Sequence, residues 1–359
     1  MFGNFYQGKK VFITGHTGFK GSWLSSWLLS MGAEVTGYAL PPLYEESHFE
    51  LLGLANKLKH IEGNVCDRKH LTSAMGEAKP DIVFHLAAQA LVREAYADPR
   101  STFETNMMGS VNLCEAVRAT ESIKTLVFIT SDKCYHNVDW EWGYRETDEL
   151  GGRDPYSASK GCAEIIFAAY WTSFLSKIKG LNAATTRAGN VIGGGDWAKD
   201  RLIPDSIRAL RKGETIEIHN PDATRPWQHV LEPLSGYLHL GTKLSGPNGA
   251  DFCKSWNFGP NNSANKNVGE VVNEVIRHWG SGKVVVKKDP NAPHEDHWLQ
   301  LNCDRASHYL HWKPTWNYPD SIAETIRWYR EYNAKADVPA LTASQIKKYE
   351  EAWKAAGND

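Results

Sequence analysis

A tyrosine and a lysine four residues apart, Tyr156 and Lys160, are the side chains of this sequence best placed to carry out chemistry. Residues four apart lie on the same face of a helix. There the Lys160 ammonium would stabilise a phenolate on Tyr156 and lower its pKa, because a nearby cation favours the ionised form. The pair predicts a base that works near neutral pH. Alone it is a weak signal, since the spacing occurs by chance in many helices.

A glycine-rich loop near the start of the chain, Gly15-His16-Thr17-Gly18-Phe19-Lys20-Gly21, strengthens that interpretation. The loop follows an apolar run at 10–14 and opens a helical pattern at 19–31. In this context the glycines let the backbone approach a pyrophosphate, and the helix N-terminus offers free N–H groups. The loop predicts a dinucleotide site; the alternative is a tight strand–helix turn without a ligand. His16 and Lys20 are within reach of a phosphate, but we expect both side chains to face solvent.

The end of the second predicted strand lacks the usual ribose-binding acid. It reads Gly37-Tyr38-Ala39-Leu40, whereas a dinucleotide fold usually places Asp or Glu there, or an arginine for a 2′-phosphate. Because neither is present, NAD is predicted rather than NADP, with a weaker hold on the adenosine ribose.

Four polar residues, Thr130-Ser131-Asp132-Lys133, end the fifth predicted strand. Ligands bind beyond the carboxyl ends of parallel strands, so this tetrad is expected to face the same cleft as Tyr156. It offers two hydroxyls, a carboxyl and an amine. The alternative is the polar start of an ordinary loop.

The elements that must position these groups follow a β-α-β rhythm. Strands apolar on both faces predict a parallel sheet covered by helices, an α/β Rossmann-type doubly wound fold with a smaller C-terminal α/β substrate-binding domain. The predicted strands are 10–14, 34–38, 59–63, 81–86, 125–130 and 181–186, and the main helices are 19–31, 101–119 and 155–174.

The rhythm breaks after Arg187, where a glycine-rich loop and scattered prolines begin. We therefore predict an NAD-binding domain over 1–188, rejoined by segments near 226–250 and 304–330. Residues 189–359 are predicted to form mainly the substrate-binding domain.

Composition excludes several classes of protein. The 359 residues are 42% hydrophobic and 23% charged, with a formal net charge of -2, which is ordinary for a globular enzyme and does not favour nucleic acid or an anionic membrane. We expect neither a signal peptide nor a membrane span, because the first residues lack a basic segment followed by an apolar run and no stretch approaches the roughly 18 apolar residues that a span needs. Six cysteines without C-x-x-C spacing predict reduced thiols in a cytoplasmic protein.

The cluster His294-Glu295-Asp296-His297 lacks metal-site spacing, so no metal is predicted.

Together the motifs resemble the extended short-chain dehydrogenase/reductases, and in particular their nucleotide-sugar members. The likeness covers about residues 8–330. Most sugar-nucleotide 4,6-dehydratases have a glutamate directly after the aspartate. Here the residue at that place is Lys133, which is similar to the pattern of the dehydratases that act on CDP-glucose. The loop that contains His16 is similar to the same group. The motifs that carry the likeness are the glycine loop, Leu86-Ala87-Ala88-Gln89, Asn106, the Ser131 tetrad, the Tyr156/Lys160 pair, Arg187-Ala188-Gly189-Asn190-Val191, Arg225-Pro226-Trp227-Gln228-His229-Val230 and Trp312-Lys313-Pro314.

The resemblance implies an internal redox cycle on CDP-glucose with NAD. Tyr156 would take the proton of the 4-hydroxyl as hydride leaves C4, Ser131 would bind the 4-oxygen, and Lys160 would bind the nicotinamide ribose. Lys133 would then remove the C5 proton while Asp132 protonates the departing 6-hydroxyl. Hydride would return to C6, and the product is a 4-keto-6-deoxy sugar nucleotide of the kind used in deoxysugar and O-antigen lipopolysaccharide synthesis.

The resemblance also implies binding residues and an assembly. Long helices of such proteins pair between subunits, so a homodimer or homotetramer is expected. His219 and Glu217 fall where the family contacts the base. Implied cofactor contacts are Gly15, His16, Thr17, Gly18, Phe19, Gly21, Asp67, Leu86, Ala87, Ala88, Asn106, Thr130, Tyr156 and Lys160, and implied substrate contacts are Gln89, Asn190, Arg201, Leu202, His219, Arg225, Asn257 and Arg305.

Three alternatives stay open. A dehydratase for dTDP-glucose or GDP-mannose would share most of these motifs. A UDP-sugar 4-epimerase would share the glycine loop and the Tyr/Lys pair, but it needs no acid and base after Ser131. An NAD-sensing or RNA-associated binding protein without turnover would not need the pair and the tetrad together.

Overall fold

A seven-stranded parallel sheet forms the centre of the computed structural model, which describes residues 1–261, 264–287 and 298–358. The sheet has the order β11-β6-β5-β4-β1-β2-β3. Its strands are β1 (Lys10–Thr14), β2 (Glu34–Ala39), β3 (Lys59–Glu62), β4 (Ile82–His85), β5 (Thr125–Ile129), β6 (Asn182–Arg187) and β11 (Ser255–Asn257).

The strand order reverses at β1, which pairs in parallel with β2 on one side and with β4 on the other. Such a switch point opens a crevice at the carboxyl ends of the strands. All residues of β4 and β5 are buried, as expected for strands covered by helices on both faces. The Rossmann-type prediction is confirmed, with every predicted strand in place.

Helices cover both faces of this sheet. On one face α1 and α9 bury Trp23, Leu28 and Leu234 in the larger apolar core. On the other, α3, α6 and α7 bury a second core that includes Leu113 and Phe167. The helices are α1 (Phe19–Ser30), α2 (His48–Leu51), α3 (Arg68–Ala78), α4 (Val92–Ala97), α5 (Pro99–Phe103), α6 (Gly109–Arg118), α7 (Pro155–Ser173), α8 (Leu202–Lys212), α9 (Leu231–Leu244), α10 (Val268–Trp279), α11 (Tyr318–Asn333) and α12 (Val338–Ala355).

The helix predicted over 101–119 differs from the structure. It consists of α5, a π-helical segment at Glu104–Met108 and α6. The π segment carries Asn106, whose side chain binds Ser159 of the neighbouring helix and the backbone of Gln89. π-Helical turns are frequent at functional sites, and this one brings an amide under the cleft.

The C-terminal part is built from short paired strands and from helices that return to the sheet. β7 (Val191–Ile192) pairs with β10 (Gln228–His229), β8 (Ile216–Ile218) with β13 (Val284–Val286), and β9 (Thr224–Pro226) with β12 (Asn265–Asn267). The division of the chain into domains stays a prediction. Within the described ranges, no helix combines the length and apolarity that crossing a membrane requires. The cluster His294–His297 lies outside the described residues.

A buried carboxylate joins α9 to the C-terminal segments. Glu232 accepts hydrogen bonds from Thr315 N at 3.0 Å, Trp316 N at 2.6 Å and the Tyr349 hydroxyl at 3.0 Å. Burial outweighs these bonds and raises the pKa of Glu232 from 4.5 to about 7. An acid whose pKa is higher in the folded state destabilises the fold as pH rises between these two values.

We therefore expect a pH-dependent difference between the wild type and Glu232→Gln. Between pH 4.5 and 7, the free energy of unfolding of the wild type should fall relative to the variant by about 3 kcal/mol. Urea unfolding at a series of pH values measures this difference. If the difference in the free energy of unfolding between wild type and variant stays constant with pH, the raised pKa of Glu232 is contradicted. This holds whatever the absolute stability of the variant.

Candidate active site

The carboxyl ends of the central strands open into a cleft of about 2040 Å³. The glycine loop lines one side, and the tetrad from Thr130 to Lys133 lines the floor together with Tyr156 and Lys160. The structure thus brings the tetrad and the Tyr/Lys pair, which are separated in sequence, into one cavity. Two strand ends and the first turn of α7 produce this arrangement.

The glycine loop forms a cradle with no room for side chains. Gly15 has φ +79°, and a Cβ there would lie 2.7 Å from Ala87 N. A Cβ on Gly21 would lie 2.1 Å from Gly15 O. α1 then begins after Gly18 without a capping side chain and without an acid in its first turn. Its N–H groups and positive dipole end suit a diphosphate, so the residues present fit a dinucleotide.

Gly21→Ala tests this cradle. The added methyl must displace the Gly15 carbonyl, so we expect NAD affinity to fall at least about tenfold, equivalent to about 1.4 kcal/mol. Isothermal titration of NAD into the variant measures the loss. Gly76→Ala on α3 is the matched control, because a Cβ there meets nothing within 4 Å. Equal affinity in both variants would contradict a ligand at the loop.

The expectation that His16 and Lys20 face solvent is wrong. The His16 ring is fully buried, with Nε2 2.7 Å from His60 Nδ1. It fills the space beside Gly37, where a Cβ would lie 2.3 Å from the ring, and burial lowers its pKa to about 3. A neutral, buried ring of this kind does not reach a phosphate, so any cofactor contact of residue 16 is through its backbone. Lys20 instead lines the cleft, where burial and then Arg201 lower its pKa to about 8.

A single turn of 3-10 helix at Asp132–Cys134 follows β5, and Ser131 is its N-cap. The Ser131 hydroxyl donates to Asp132 Oδ1 at 2.9 Å and accepts from Lys133 N at 3.2 Å. This local cap fixes the directions of three consecutive side chains. Asp132 and Lys133 both line the cleft, so an acid and an amine are available there as a proton donor and a proton acceptor.

Tyr156 lies in the first turn of α7, which begins at Pro155 with Asp154 as its cap. Lys160 Nζ is 6.0 Å from the centre of the Tyr156 ring. The net pKa of Tyr156 is not lowered, contrary to what the Tyr156/Lys160 spacing predicts. Burial raises it to about 12 against the opposing hydrogen bond with Ser131. Burial likewise lowers the pKa of Lys160 to about 8.

A buried ion pair beneath the tetrad was not predicted. Arg187 at the end of β6 binds Glu164 of α7 through two bonds, Nε to Oε1 at 3.0 Å and NH2 to Oε2 at 2.9 Å. Glu164 also accepts from Thr130 and Thr185. Although burial raises the pKa of Glu164, Arg187 outweighs it and the net direction is downward. The pair locks α7 against the ends of β5 and β6. A buried charge needs a partner of opposite charge. The sequence does not show that Arg187 is the partner of Glu164.

Several predicted substrate contacts line the far end of the cleft. Asn190 adopts a left-handed backbone at φ +50°, which asparagine tolerates. Arg201 NH1 is held by Asp196 Oδ2 at 3.1 Å, and His219 Nδ1 lies 2.7 Å from Lys287 O. Arginine is suited to phosphate because its planar fork gives bidentate bonds. The cleft residues of this group are Asn190, Arg201, Leu202, Glu217, His219 and Arg225, and their roles stay predictions.

Two predicted substrate contacts, Asn257 and Arg305, lie outside the cleft lining, and their side chains bond to other protein groups. The Asn257 amide donates to Tyr144 O at 2.8 Å and Asn302 O at 3.0 Å. Its oxygen accepts from Tyr135, so its polar atoms are used inside the protein. Arg305 donates to Ser255 O at 3.0 Å and faces Glu146 at 3.6 Å. Neither residue lines the cleft.

Three further residues support the cleft through other protein groups. Asp67 caps α3 by accepting from His70 N, and it is not among the cleft-lining residues, so the structure gives it a capping role. Asn106 is likewise outside the lining and holds the backbone of Gln89. Gln89 does line the cleft, but its side-chain amide donates to Leu91 O and Thr102 Oγ1. The cleft is also lined by Leu86, Ala87, Ala88, Thr17 and Phe19, and their contacts with a cofactor stay predictions.

Comparisons with known proteins agree with this geometry. The family model described as GDP-mannose 4,6 dehydratase matches residues 12–325. A CDP-glucose 4,6-dehydratase of Salmonella typhimurium is 46% identical over 350 residues, covering 96% of this chain and 97% of the relative. A dTDP-glucose 4,6-dehydratase structure from Streptomyces venezuelae with NAD bound has a TM-score of 0.77 at 22% identity, covering 92% and 99%. A UDP-glucose 4-epimerase structure from Thermotoga maritima has a TM-score of 0.75 at 20% identity, covering 90% and 99%.

Proposed function

The chain belongs to the GDP-mannose 4,6-dehydratase family, within the extended short-chain dehydrogenase/reductases, and from this premise we propose that it is an NAD-dependent CDP-glucose 4,6-dehydratase. The observation that carries the proposal is one cleft lined by Asp132, Lys133 and Tyr156 beside a glycine cradle. The relative named for the same reaction spans nearly the whole chain.

When bound, NAD supplies an acceptor for hydride from C4 and a donor of the same hydride to C6. Tyr156 takes the proton of the 4-hydroxyl, and Ser131 holds the 4-oxygen. The pKa of Tyr156 is raised to about 12, with burial as the largest cause, so positive charge around the phenol must lower it before it acts as a base. Arg201 already acts in this direction, and Lys160 lies within the same pocket.

Elimination needs the acid and the amine of the tetrad. Once C4 is a ketone, the C5 hydrogen is acidic, and Lys133 accepts that proton. Asp132 gives its proton to the 6-hydroxyl, the C6–O bond breaks, and water leaves as the C5–C6 double bond forms. Hydride then adds to C6 and a proton to C5, so the net change is loss of one water and a shift of the oxidation level from C6 to C4.

The acid and amine also separate the proposal from its main alternative. A 4-epimerase must return hydride to C4 and has no leaving group to protonate at C6. It would gain nothing from Asp132 and Lys133 on the cleft floor. A second nucleotide-sugar dehydratase activity, on dTDP-glucose or GDP-mannose, would use the same residues and is distinguished by the choice of base.

A panel of substrates tests the proposal. Pure protein is incubated with NAD and with CDP-, dTDP- and UDP-glucose and GDP-mannose, and products are identified by mass and by NMR. We expect a 4-keto-6-deoxy product from CDP-glucose with a kcat/KM well above that for the others. Epimerised hexose, a preference for another base, or tight NAD binding without turnover would each support a named alternative.

We propose that the active form is a homodimer or homotetramer, joined by the long helices. On their outer face, Met108 is 50% exposed and Ile165 is 56% exposed. Large apolar side chains on neighbouring helices suit burial against a second copy. Sedimentation velocity measures the assembly, and a stable monomer at working concentration would contradict it. A cytoplasmic location and a role in O-antigen synthesis stay predictions.

A further inference from the structure

Four side-chain oxygens behind the proposed acid are buried, and none has a hydrogen-bond partner among the residues that the structure describes. They are Asp132 Oδ2, Thr186 Oγ1, Gln228 Oε1 and the Tyr237 hydroxyl oxygen. Their side chains are at most 3% exposed. Buried polar atoms without partners are rare, and each requires an explanation.

The oxygens come from neighbouring elements that meet on the α9 side of the sheet. Asp132 Oδ2 packs against Gly189, where a Cβ would lie 1.7 Å away, so the absence of a side chain admits the carboxyl group. The Gln228 amide nitrogen donates to the carbonyls of Gly189 and Phe258, each at 3.1 Å. These two bonds fix which end of the amide is the oxygen, so Gln228 offers an acceptor to the space behind Gly189.

Tyr237 completes this group of oxygens from α9. Its ring packs edge to face on Phe258 with centroids 5.8 Å apart. Its hydroxyl lies close enough to Thr186 and Asp132 for each to shift its pKa, and burial is the largest influence, raising the pKa well above the ordinary value. The Tyr237 hydroxyl therefore lies within hydrogen-bonding reach of Thr186 and close to Asp132. Gln228 is joined to the same region through Gly189, whose carbonyl it binds and against which Asp132 packs.

We propose that Thr186, Gln228 and Tyr237 bind a buried water molecule against Asp132 Oδ2, and that Tyr237 is a positioning residue for the acid. A buried water typically makes about three hydrogen bonds to otherwise unpartnered groups, and this space offers four. The water solvates the carboxylate that forms when Asp132 gives its proton to the 6-hydroxyl. This inference rests on the proposed function.

Other titratable groups also face Asp132. Lys20 approaches from α1, Tyr156 from α7, Tyr237 from α9 and Cys134 from the same turn as Asp132, next to Lys133. A test must therefore change the proposed water site and leave the others intact. Tyr237→Phe does so, because it removes one hydroxyl oxygen and keeps the ring that packs on Phe258.

We expect Tyr237→Phe to slow release of water from CDP-glucose about tenfold, as for one hydrogen bond to a charged group. The kcat for CDP-glucose should fall while its KM stays unchanged, because the missing hydroxyl affects the carboxylate that forms during elimination and not the binding of substrate. Oxidation of CDP-6-deoxyglucose, which has no 6-hydroxyl to lose, should continue at the wild-type rate. Tyr318→Phe is the control, since its hydroxyl is also buried without a partner among the described residues but lies outside the cleft.

Thr186→Val and Thr186→Ser give a second, independent pair. The valine variant removes Oγ1 and should lower kcat in the same way, whereas the serine variant keeps the hydroxyl and should restore the wild-type kcat. If both Tyr237→Phe and Thr186→Val turn over CDP-glucose with the wild-type kcat, the water site is wrong although the proposed function stands. Absence of product from the wild type would instead refute the proposed function.

Discussion

Lys133→Met is expected to bind CDP-glucose and to oxidise it at C4, but to release water at least about a hundredfold more slowly. The methionine fills a similar volume without a proton acceptor, and general base catalysis contributes about 10²–10⁴ in rate. Reduced NAD should therefore accumulate with CDP-glucose, because hydride cannot return to a C6 that still carries its hydroxyl. Absorbance of NADH measures oxidation at C4, the first half of the reaction. The yield of 4-keto-6-deoxy product measures the second half, the loss of water.

Lys347→Met is the matched control for this variant. Lys347 is exposed on α12 and does not line the cleft, so its replacement should leave both halves of the reaction unchanged. Full turnover by Lys133→Met would remove Lys133 from the mechanism. Loss of C4 oxidation as well would mean that the side chain acts on binding or structure rather than on the C5 proton.

Tyr156→Phe should show the opposite pattern, losing oxidation at C4 itself. The variant keeps the ring packed in the first turn of α7 but cannot accept the proton of the 4-hydroxyl. We expect the rate of NADH formation from CDP-6-deoxyglucose to fall by about 10²–10⁴, with little change in the affinity for the nucleotide sugar. Stopped-flow absorbance and titration calorimetry provide the two values.

Tyr170→Phe is the control on the same helix. Tyr170 lies four turns further along α7 and outside the cleft, so the loss of its hydroxyl should leave the rate unchanged. If Tyr156→Phe oxidises the 6-deoxy substrate at the wild-type rate, the base at the 4-hydroxyl must be a different group.

The parts of this site that the sequence predicts are those set by local sequence patterns. The strand ends and the glycine loop depend on residues within a few positions of each other, so the apolar runs and glycine spacing located them. The same holds for Tyr156 and Lys160, whose relation is set by one helical turn. β11 was not predicted because its three residues, Ser255-Trp256-Asn257, are too few to show a periodic pattern; the segment joins the sheet through pairing with β6.

Contacts between distant segments account for the errors. His16 is buried because Gly37, on the next strand, leaves room for its ring. The Asn257 side chain hydrogen-bonds to Tyr135 and to two backbone carbonyls, all more than 40 residues away in the sequence. The pKa of Tyr156 rises because burial, a property of the whole fold, outweighs neighbouring charge. None of these effects is encoded in local spacing.

Transfer of label within one sugar tests the central claim most directly. CDP-glucose carrying deuterium at C4 is converted in ordinary water, and the product is examined by NMR and mass spectrometry. The account predicts that deuterium moves to C6, giving a singly deuterated methyl group beside a 4-ketone, with NAD unchanged at the end. Deuterium that remains at C4 or that is left on released NADH would contradict a hydride carried from C4 to C6 in this cleft.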